Sequence, residues 1–390
     1  MYRLQQRLKT LKNKIKIWNK EEFGNIFEDK TRIEIHLQKV REKVFMFGYI
    51  EQLMEEENVL QEQLQAREKQ EEIYWKQKSR NRSLREGERN TKFFHKSTIQ
   101  RRIHNRIHQL KLLNGEKTET RDELETVLVD HFSNLLTETS PDRDQEIAAI
   151  ASCIPQKVSN AQNDLLDRPV DLAELEDAIK QMQRGTAPGP DGFTIDFFFH
   201  FWDLLKLDIL QIVETSRTKG DILKAFNATF LTLIPKEEGA DSPSLFRPIS
   251  LCNVIYKIIT KIIANCIKPL LPDLISEEQS GFVAGRQILD GILLVNEVVH
   301  SLRSTKKPGM LIKLDLAKAF DKINWAFIKA ILTTFSFSSN LIQWIMGLIS
   351  SSFFSILING IPTKCLSPTR GIRQGDPLSP FIFFIAAICR

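Results

Sequence analysis

The chain has 390 residues, of which 42% are hydrophobic and 26% charged, a globular balance that excludes disordered, collagen-like and disulfide-stapled classes. Five scattered cysteines (Cys153, Cys252, Cys266, Cys365, Cys389) contain no C-x-x-C pair, so reduced thiols are expected rather than a disulfide framework or a cysteine zinc site. The longest strongly apolar run, Phe381 to Cys389, falls well short of the roughly 20 residues of a bilayer span, and the N-terminus lacks the apolar core of a secretory signal. These features predict an intracellular protein with no membrane association.

In chain order, Leu4, Leu8, Leu11, Ile15 and Trp18 recur at steps of four and three, the seam of an amphipathic helix. After a break near Gly24 and Asn25 the pattern resumes at Ile33, Leu37, Val40, Val44 and Phe47 and continues through Met54, Leu60 and Leu64. Two long helices in an antiparallel hairpin are the simplest reading, over residues 1–75.

The net charge of +5 is unevenly placed, because residues 76 to 111 hold twelve lysines and arginines against Glu86 and Glu88. Lys76, Lys78, Arg80, Arg82, Lys92, Lys96, Arg101, Arg102 and Arg106 are interleaved with Trp75, Phe93 and Phe94. Phosphate neutralisation with base stacking needs that mixture; a solvated helix face is the alternative. His104 and His108 lie four apart without a nearby cysteine, which does not make a zinc site. The region 76–135 is therefore read as basic, helical and in contact with nucleic acid, and the polar, proline-bearing stretch 136–170 as a linker.

From Asp171 the texture becomes mixed. Asp171 is a helix N-cap ahead of Leu172, Leu175 and Ile179; Gly185 to Gly192 is a structured loop; Ala228 to Pro235 is a strand; Cys252 to Leu271 is a buried helix. Met310 to Leu316 alternates as a strand that carries Asp315, and Phe354 to Asn359 is another, closed by Asn359-Gly360. Ser379-Pro380 opens a final apolar helix with Ser379 as its cap.

Five ordered segments then carry a resemblance. Residues 313–325 (Lys-Leu-Asp-Leu-Ala-Lys-Ala-Phe-Asp-Lys-Ile-Asn-Trp) resemble polymerase motif A, and residues 370–380 (Arg-Gly-Ile-Arg-Gln-Gly-Asp-Pro-Leu-Ser-Pro) resemble motif B, of reverse transcriptases. The Ala187 to Phe193 loop, Phe246-Arg-Pro-Ile-Ser-Leu251 and Gly281-Phe-Val-Ala-Gly-Arg286 fall in the order of the LINE-type, non-LTR retrotransposon branch, especially its plant form.

The resemblance implies an α+β fold, with the fingers and an incomplete palm of a right-hand polymerase over residues 171–390, preceded by the long helical hairpin. It implies RNA-directed DNA synthesis from an RNA template and a DNA primer with deoxynucleoside triphosphates, by two magnesium ions that promote in-line nucleotidyl transfer. Asp315 matches the motif A metal ligand and catalytic carboxylate, with the Leu316 carbonyl as a further oxygen. Phe320 matches the aromatic beneath the sugar that excludes a 2′-hydroxyl. Lys236 and Arg247 match finger residues that meet the triphosphate, and Gln374 and Gly375 match the loop over the incoming nucleotide. Asp321 and Asp376 are read as capping or loop-fixing residues.

No Ala-Asp-Asp motif follows motif B before Arg390, and no thumb or endonuclease segment is matched. The expectation is a chain inactive by itself; the alternative is a non-catalytic RNA- or DNA-binding protein derived from a retroelement. Nuclear localisation follows from the resemblance alone.

Overall fold

A computed structural model describes every residue except 80–90, 113–114, 140–142, 153, 155–156, 277–278, 280, 282, 284, 307 and 388–390. The chain divides into two compact units, Arg3–Arg106 and Ile107–Arg390 with Met1–Tyr2. The class is α+β, as expected. No helix among the described residues is long and apolar enough to cross a membrane.

In the Arg3–Arg106 unit, α1 (Tyr2–Trp18) runs into a π turn at Asn19–Phe23. Asn25 caps α2 (Ile26–Phe47), its side-chain oxygen accepting from the Phe27 N–H at 3.1 Å. The spacing predicts that the second seam continues, less regularly, toward Leu64. Instead Gly48, at φ 81°, turns the chain in a conformation that a Cβ disfavours, and α3 (Glu51–Ser79) runs back along α2. Lys30–Glu71, His36–Glu56 and Arg41–Glu57 pair in antiparallel order, over a seam of buried Leu37, Val40 and Leu60. The hairpin is therefore α2 with α3, not the two helices on either side of Gly24. Helix α4 (Thr91–His104) carries the later half of the basic block.

The Ile107–Arg390 unit is built on a sheet of β1 (Ala228–Pro235), β2 (Phe246–Cys252), β3 (Phe353–Ile358) and β4 (Ile361–Leu366), in the order β2-β1-β3-β4. β1 is antiparallel to β2, with Ile234 opposite Arg247, and parallel to β3, with Leu231 opposite Ile356. Asn359 and Gly360 both hold positive φ between β3 and β4, the chemistry of a tight hairpin turn. A capping box of Thr120 and Glu123 starts α5 (Arg121–Leu136), which sets Leu128 and Phe132 into one core with Leu231 and Ile356. This helix, grouped by sequence with the basic region, belongs to the sheet core.

The stretch read as a linker also folds. It forms α6 (Asp144–Ala151) and α7 (Asn160–Asp167), and Asn163 donates to the Ser336 carbonyl at 2.7 Å while accepting from the Ser338 N–H at 2.9 Å. Next come α8 (Leu172–Lys180), capped by Asp171 as expected, α9 (Ile195–His200), α10 (Trp202–Lys219) and α11 (Lys224–Asn227). The predicted buried helix is α12 (Val254–Ile267), with Ile255, Ile258, Ile259 and Ile263 fully enclosed. It is followed by α13 (Leu271–Leu274), α14 (Ile288–Ser304), α15 (Ala319–Lys322), α16 (Trp325–Thr334), α17 (Ser339–Ser350) and α18 (Ser379–Ala387).

Two further expectations are corrected. Residues 310–316 do not form a strand: the segment is irregular and exposed, with Met310 85% and Leu314 87% accessible. Alternation specifies a face, but a strand also needs a hydrogen-bonded neighbour, and this segment pairs with none among the described residues. Ser379 is not the cap of α18. The Asp376 carboxylate plays that part, accepting from the Leu378 and Ser379 N–H groups at 3.3 and 3.1 Å and from the Ser379 hydroxyl at 3.1 Å.

Candidate active site

Backbone bonds fasten the end of motif A to the start of motif B. The Gly371 N–H donates to the Ile323 carbonyl and the Ile372 N–H to the Phe320 carbonyl, both at 2.8 Å, and the Trp325 indole donates to the Gly371 carbonyl at 2.7 Å. Gly371 holds φ 88°, and a Cβ there would lie 2.7 Å from the Asp321 carbonyl oxygen. The position therefore requires glycine for conformation and for close approach. One turn further on, the Ser250 N–H of β2 donates to the Gln374 carbonyl at 2.8 Å, while Gly375, at φ 105°, passes over Ser250. Motif A, motif B and the Phe246–Leu251 strand thus form one continuous clasp.

Beneath it lie two buried charges. Arg373 is 5% exposed; its guanidinium donates to the main-chain carbonyl and side-chain oxygen of Asn227 and sits 4.1 Å over the Tyr256 ring. Its Nε and Nη1 have no hydrogen-bond partner, nor does Oδ1 of Asp376. Burial pushes the Asp376 carboxyl up, against the opposing pull of the nearby Thr260 hydroxyl, Arg373 and Ser379. Sequence reading gave Arg373 no role; its burial depends on Asn227 and Tyr256, which are remote in sequence.

At the motif A end, Lys318 takes a left-handed conformation (φ 53°) and brings its ammonium 3.1 Å from Nε2 of His131 on α5. Burial and then the Lys318 charge hold His131 below its ordinary value, so the neutral imidazole accepts from the lysine. Asp321 faces a cavity of about 10 Å³ shared with Ser250, Arg373 and Gln374. Burial raises its carboxyl to about 6, against the opposing charges of Lys318 and Lys236. Sequence reading gave His131 no role.

The Ala187–Phe193 loop is held by another residue that sequence missed. Gly189 lies so close to Asn253 that a Cβ would fall 2.4 Å from Oδ1. Asn253 is fully buried; it accepts from the Asp191 N–H at 3.0 Å and donates to the Ala225 and Phe226 carbonyls at 2.9 and 3.2 Å. In the Gly281–Arg286 motif, the Arg286 guanidinium binds the carbonyls of Pro272, Ile275, Ser276 and Gln279, a loop-closing role. Phe282 and Ala284 lie outside the described residues.

The predicted nucleotide residues divide. Gln374 and Gly375 lie on the clasp. Arg247 and Lys236 are exposed at the same end of the β1–β2 pair, with Lys236 donating to the Ser244 carbonyl at 3.0 Å. Phe320 is half-buried and stacked on Phe383 of α18, with ring centroids 4.9 Å apart and planes 18° off parallel. Asp315 and Leu316 are exposed on the irregular segment, and the Asp315 carboxylate makes no hydrogen bond or ion pair among the described residues. Those residues contain no group of three or more His, Cys, Asp or Glu able to hold a metal ion.

In the helical unit, Lys92, Lys96, Arg102 and Arg106 are exposed. Arg101 donates to the Ser79 carbonyl at 2.7 Å, Lys78 bonds the Tyr74 hydroxyl and lies over its ring, and Lys76 is half-buried. Arg80 and Arg82 lie outside the described residues. Trp75 is engaged with Phe27, Tyr74 and His95, and Phe94 is buried, which leaves Phe93 as the exposed ring among the three.

Residues 234–387, which hold β2, both motifs and the clasp, match the family described as reverse transcriptase (RNA-dependent DNA polymerase). They form a reverse transcriptase domain. Its relatives are retrotransposon proteins of the non-LTR kind. The transposon TX1 uncharacterized 149 kDa protein of Xenopus laevis is 32% identical over 229 residues, 59% of this chain and 18% of the relative. The Pol polyprotein of the type-1 retrotransposable element R2 of Popillia japonica is 29% identical over 217 residues, 55% of this chain and 29% of the relative. The R2DM polyprotein of Drosophila melanogaster is 23% identical over 273 residues, 70% and 24% respectively. The chain thus spans less than a third of the length of these relatives. Within these residues the clasp accounts for the glycine at 371, where a Cβ would meet the Asp321 carbonyl, and for Trp325, whose indole donates to the Gly371 carbonyl.

Proposed function

We propose that this chain positions a deoxynucleoside triphosphate and its templating base for RNA-directed DNA synthesis by a non-LTR retrotransposon polymerase. The observation that carries the reading is the clasp, which fixes Phe320 and Gln374 relative to β2 through backbone bonds. Arg247 and Lys236, without a carboxylate partner among the described residues at the exposed end of the hairpin, bind triphosphate oxygens, the guanidinium taking two at once. Phe320 lies under the sugar and rejects a ribose 2′-hydroxyl. Gln374 and Gly375 close over the base.

Reverse transcriptases use divalent metal ions, and magnesium is the ion this reading assigns, with the Asp315 carboxylate and the Leu316 carbonyl as donors. Among the described residues this donor set does not fit two ions: a single carboxylate does not offset the repulsion of dications about 3.5–4 Å apart. The chain alone is expected to bind substrates without extending a primer.

The experiment is nucleotide capture on an RNA template annealed to a DNA primer, read by photocrosslinking. The complementary deoxynucleotide is expected to be retained in preference to its ribonucleotide counterpart, with Phe320→Ala erasing that preference and Gln374→Ala lowering capture of both. Capture indifferent to the template base, or a sugar preference untouched by Phe320→Ala, would overturn the reading. Exposed Lys92, Lys96, Arg102 and Arg106 favour a second role, phosphate contact by α4, whose signature is affinity that falls steeply with salt.

A further inference from the structure

The tip of the α2–α3 hairpin exposes a dense apolar surface. Phe45 is 91% exposed, Tyr49 86%, Phe47 69%, Met46 68% and Ile50 45%. Helical seams normally bury such residues, and the adjoining seam does, with Val40 fully enclosed. An aromatic side chain removes about 150–250 Å² from water when fully buried. Three aromatics with Met46 and Ile50 thus offer on the order of 500 Å² per copy, so two tips together reach the roughly 1,000 Å² of a specific interface.

Charge decides the occupant. The last turns of α2 expose Lys39 and Lys43, four residues apart on one face, and the first turns of α3 expose Glu51 and Glu55 at the same spacing. None of the four makes an ion pair among the described residues, whereas Arg41, His36 and Lys30 are already paired across the hairpin. Residues 36–57 hold Lys39, Arg41 and Lys43 against Glu42, Glu51, Glu55, Glu56 and Glu57. That acidic balance disfavours nucleic acid and anionic lipid surfaces. One basic and one acidic stripe flanking an apolar patch are self-complementary: a two-fold axis sets the lysines of each copy against the glutamates of the other.

We propose that this tip is a two-fold interface with a second copy of the chain, with Phe45, Phe47 and Tyr49 at its centre and the Lys39/Lys43 and Glu51/Glu55 stripes fixing its register.

The test is sedimentation equilibrium of the full chain. The wild-type protein is expected to self-associate, and Phe45→Ser with Tyr49→Ser to weaken association about tenfold or more, with helical circular dichroism unchanged. Lys39→Glu with Lys43→Glu makes both stripes acidic, and Glu51→Lys with Glu55→Lys makes both basic. Each protein alone is expected to remain monomeric, while an equimolar mixture of the two associates. Rescue in trans cannot arise from pairs within one hairpin. A wild-type monomer at every concentration, association unaltered by the Phe45 and Tyr49 changes, or a mixture that stays monomeric would each overturn the proposal. So would loss of RNA binding, rather than of self-association, in the Phe45 and Tyr49 variant.

Discussion

Gly371→Ala isolates how tightly motif A and motif B are pressed together. Gly371 and Gly360 have nearly the same positive φ, 88° and 90°, so an alanine at either position costs about 1–2 kcal/mol of conformational strain. Their surroundings differ. A Cβ at Gly360 meets nothing within 4 Å, while at Gly371 it would lie 2.7 Å from the Asp321 carbonyl oxygen and 3.1 Å from its carbon. Both of those atoms are backbone, so relief requires the two motifs to separate, stretching the bonds from the Gly371 N–H to Ile323 and from the Trp325 indole to Gly371. Each such bond contributes about 1 kcal/mol net. Gly371→Ala should therefore cost about 3–4 kcal/mol, about 2 more than Gly360→Ala, a difference of about 4–8 °C in melting temperature. Thermal unfolding of both variants measures it, with nucleotide capture expected to be lost in Gly371→Ala and retained in Gly360→Ala. Equal destabilisation of the two would refute the reasoning.

Arg373→Met removes the bonds to Asn227 and the nearby charge that favours the Asp376 carboxylate and should cost about 1–3 kcal/mol; adding Asp376→Asn should recover part of that loss, a non-additivity read by a urea double-mutant cycle. Asp321 has its folded pKa raised by burial to about 6, so the folded state holds its proton more tightly than the unfolded chain. The stabilisation it gives is complete below about pH 4 and is lost as pH rises through 6, an amount of about 2–3 kcal/mol. Asp321→Asn should flatten that part of the stability profile relative to wild type between pH 4 and 7, checked by denaturation midpoints. Replacing Lys92, Lys96, Arg102 and Arg106 with glutamine should lower the dependence of log affinity on log salt by about 0.7–0.9 for each phosphate contact removed, measured by RNA binding at several salt concentrations.

Local chemistry made several elements legible. Asp171 announced α8, alternation marked β1, and Asn359-Gly360 closed the β3–β4 hairpin because that dipeptide accepts two successive positive φ angles. The same logic misread Met310 to Leu316, since a period of two says which face is apolar but cannot supply the neighbour that completes a ladder. It also misread residues 136–170, where polar Asn163 serves as a bracket to Ser336 and Ser338 rather than as solvated linker. At the site, motif spacing pointed to Phe320, Gln374 and Gly375. Asn253, His131 and the Asn227 partner of Arg373 stayed hidden because each acts only through residues brought near by the fold.

The parallel pairing of β1 with β3 bears on how the protein is made. Ala228 must meet Phe353, so the ribosome releases the β1–β2 hairpin long before the strand that completes its second edge. Closing so long a loop is entropically slow, and during that interval Leu231 lacks Ile356, its sheet neighbour on that side. Both halves of the clasp, residues 320–325 and 371–376, are synthesised later still than β1 and β2. The clasp therefore closes only after both of its halves have followed β1 and β2 out of the ribosome, and a chaperone present during that interval would have its largest effect there.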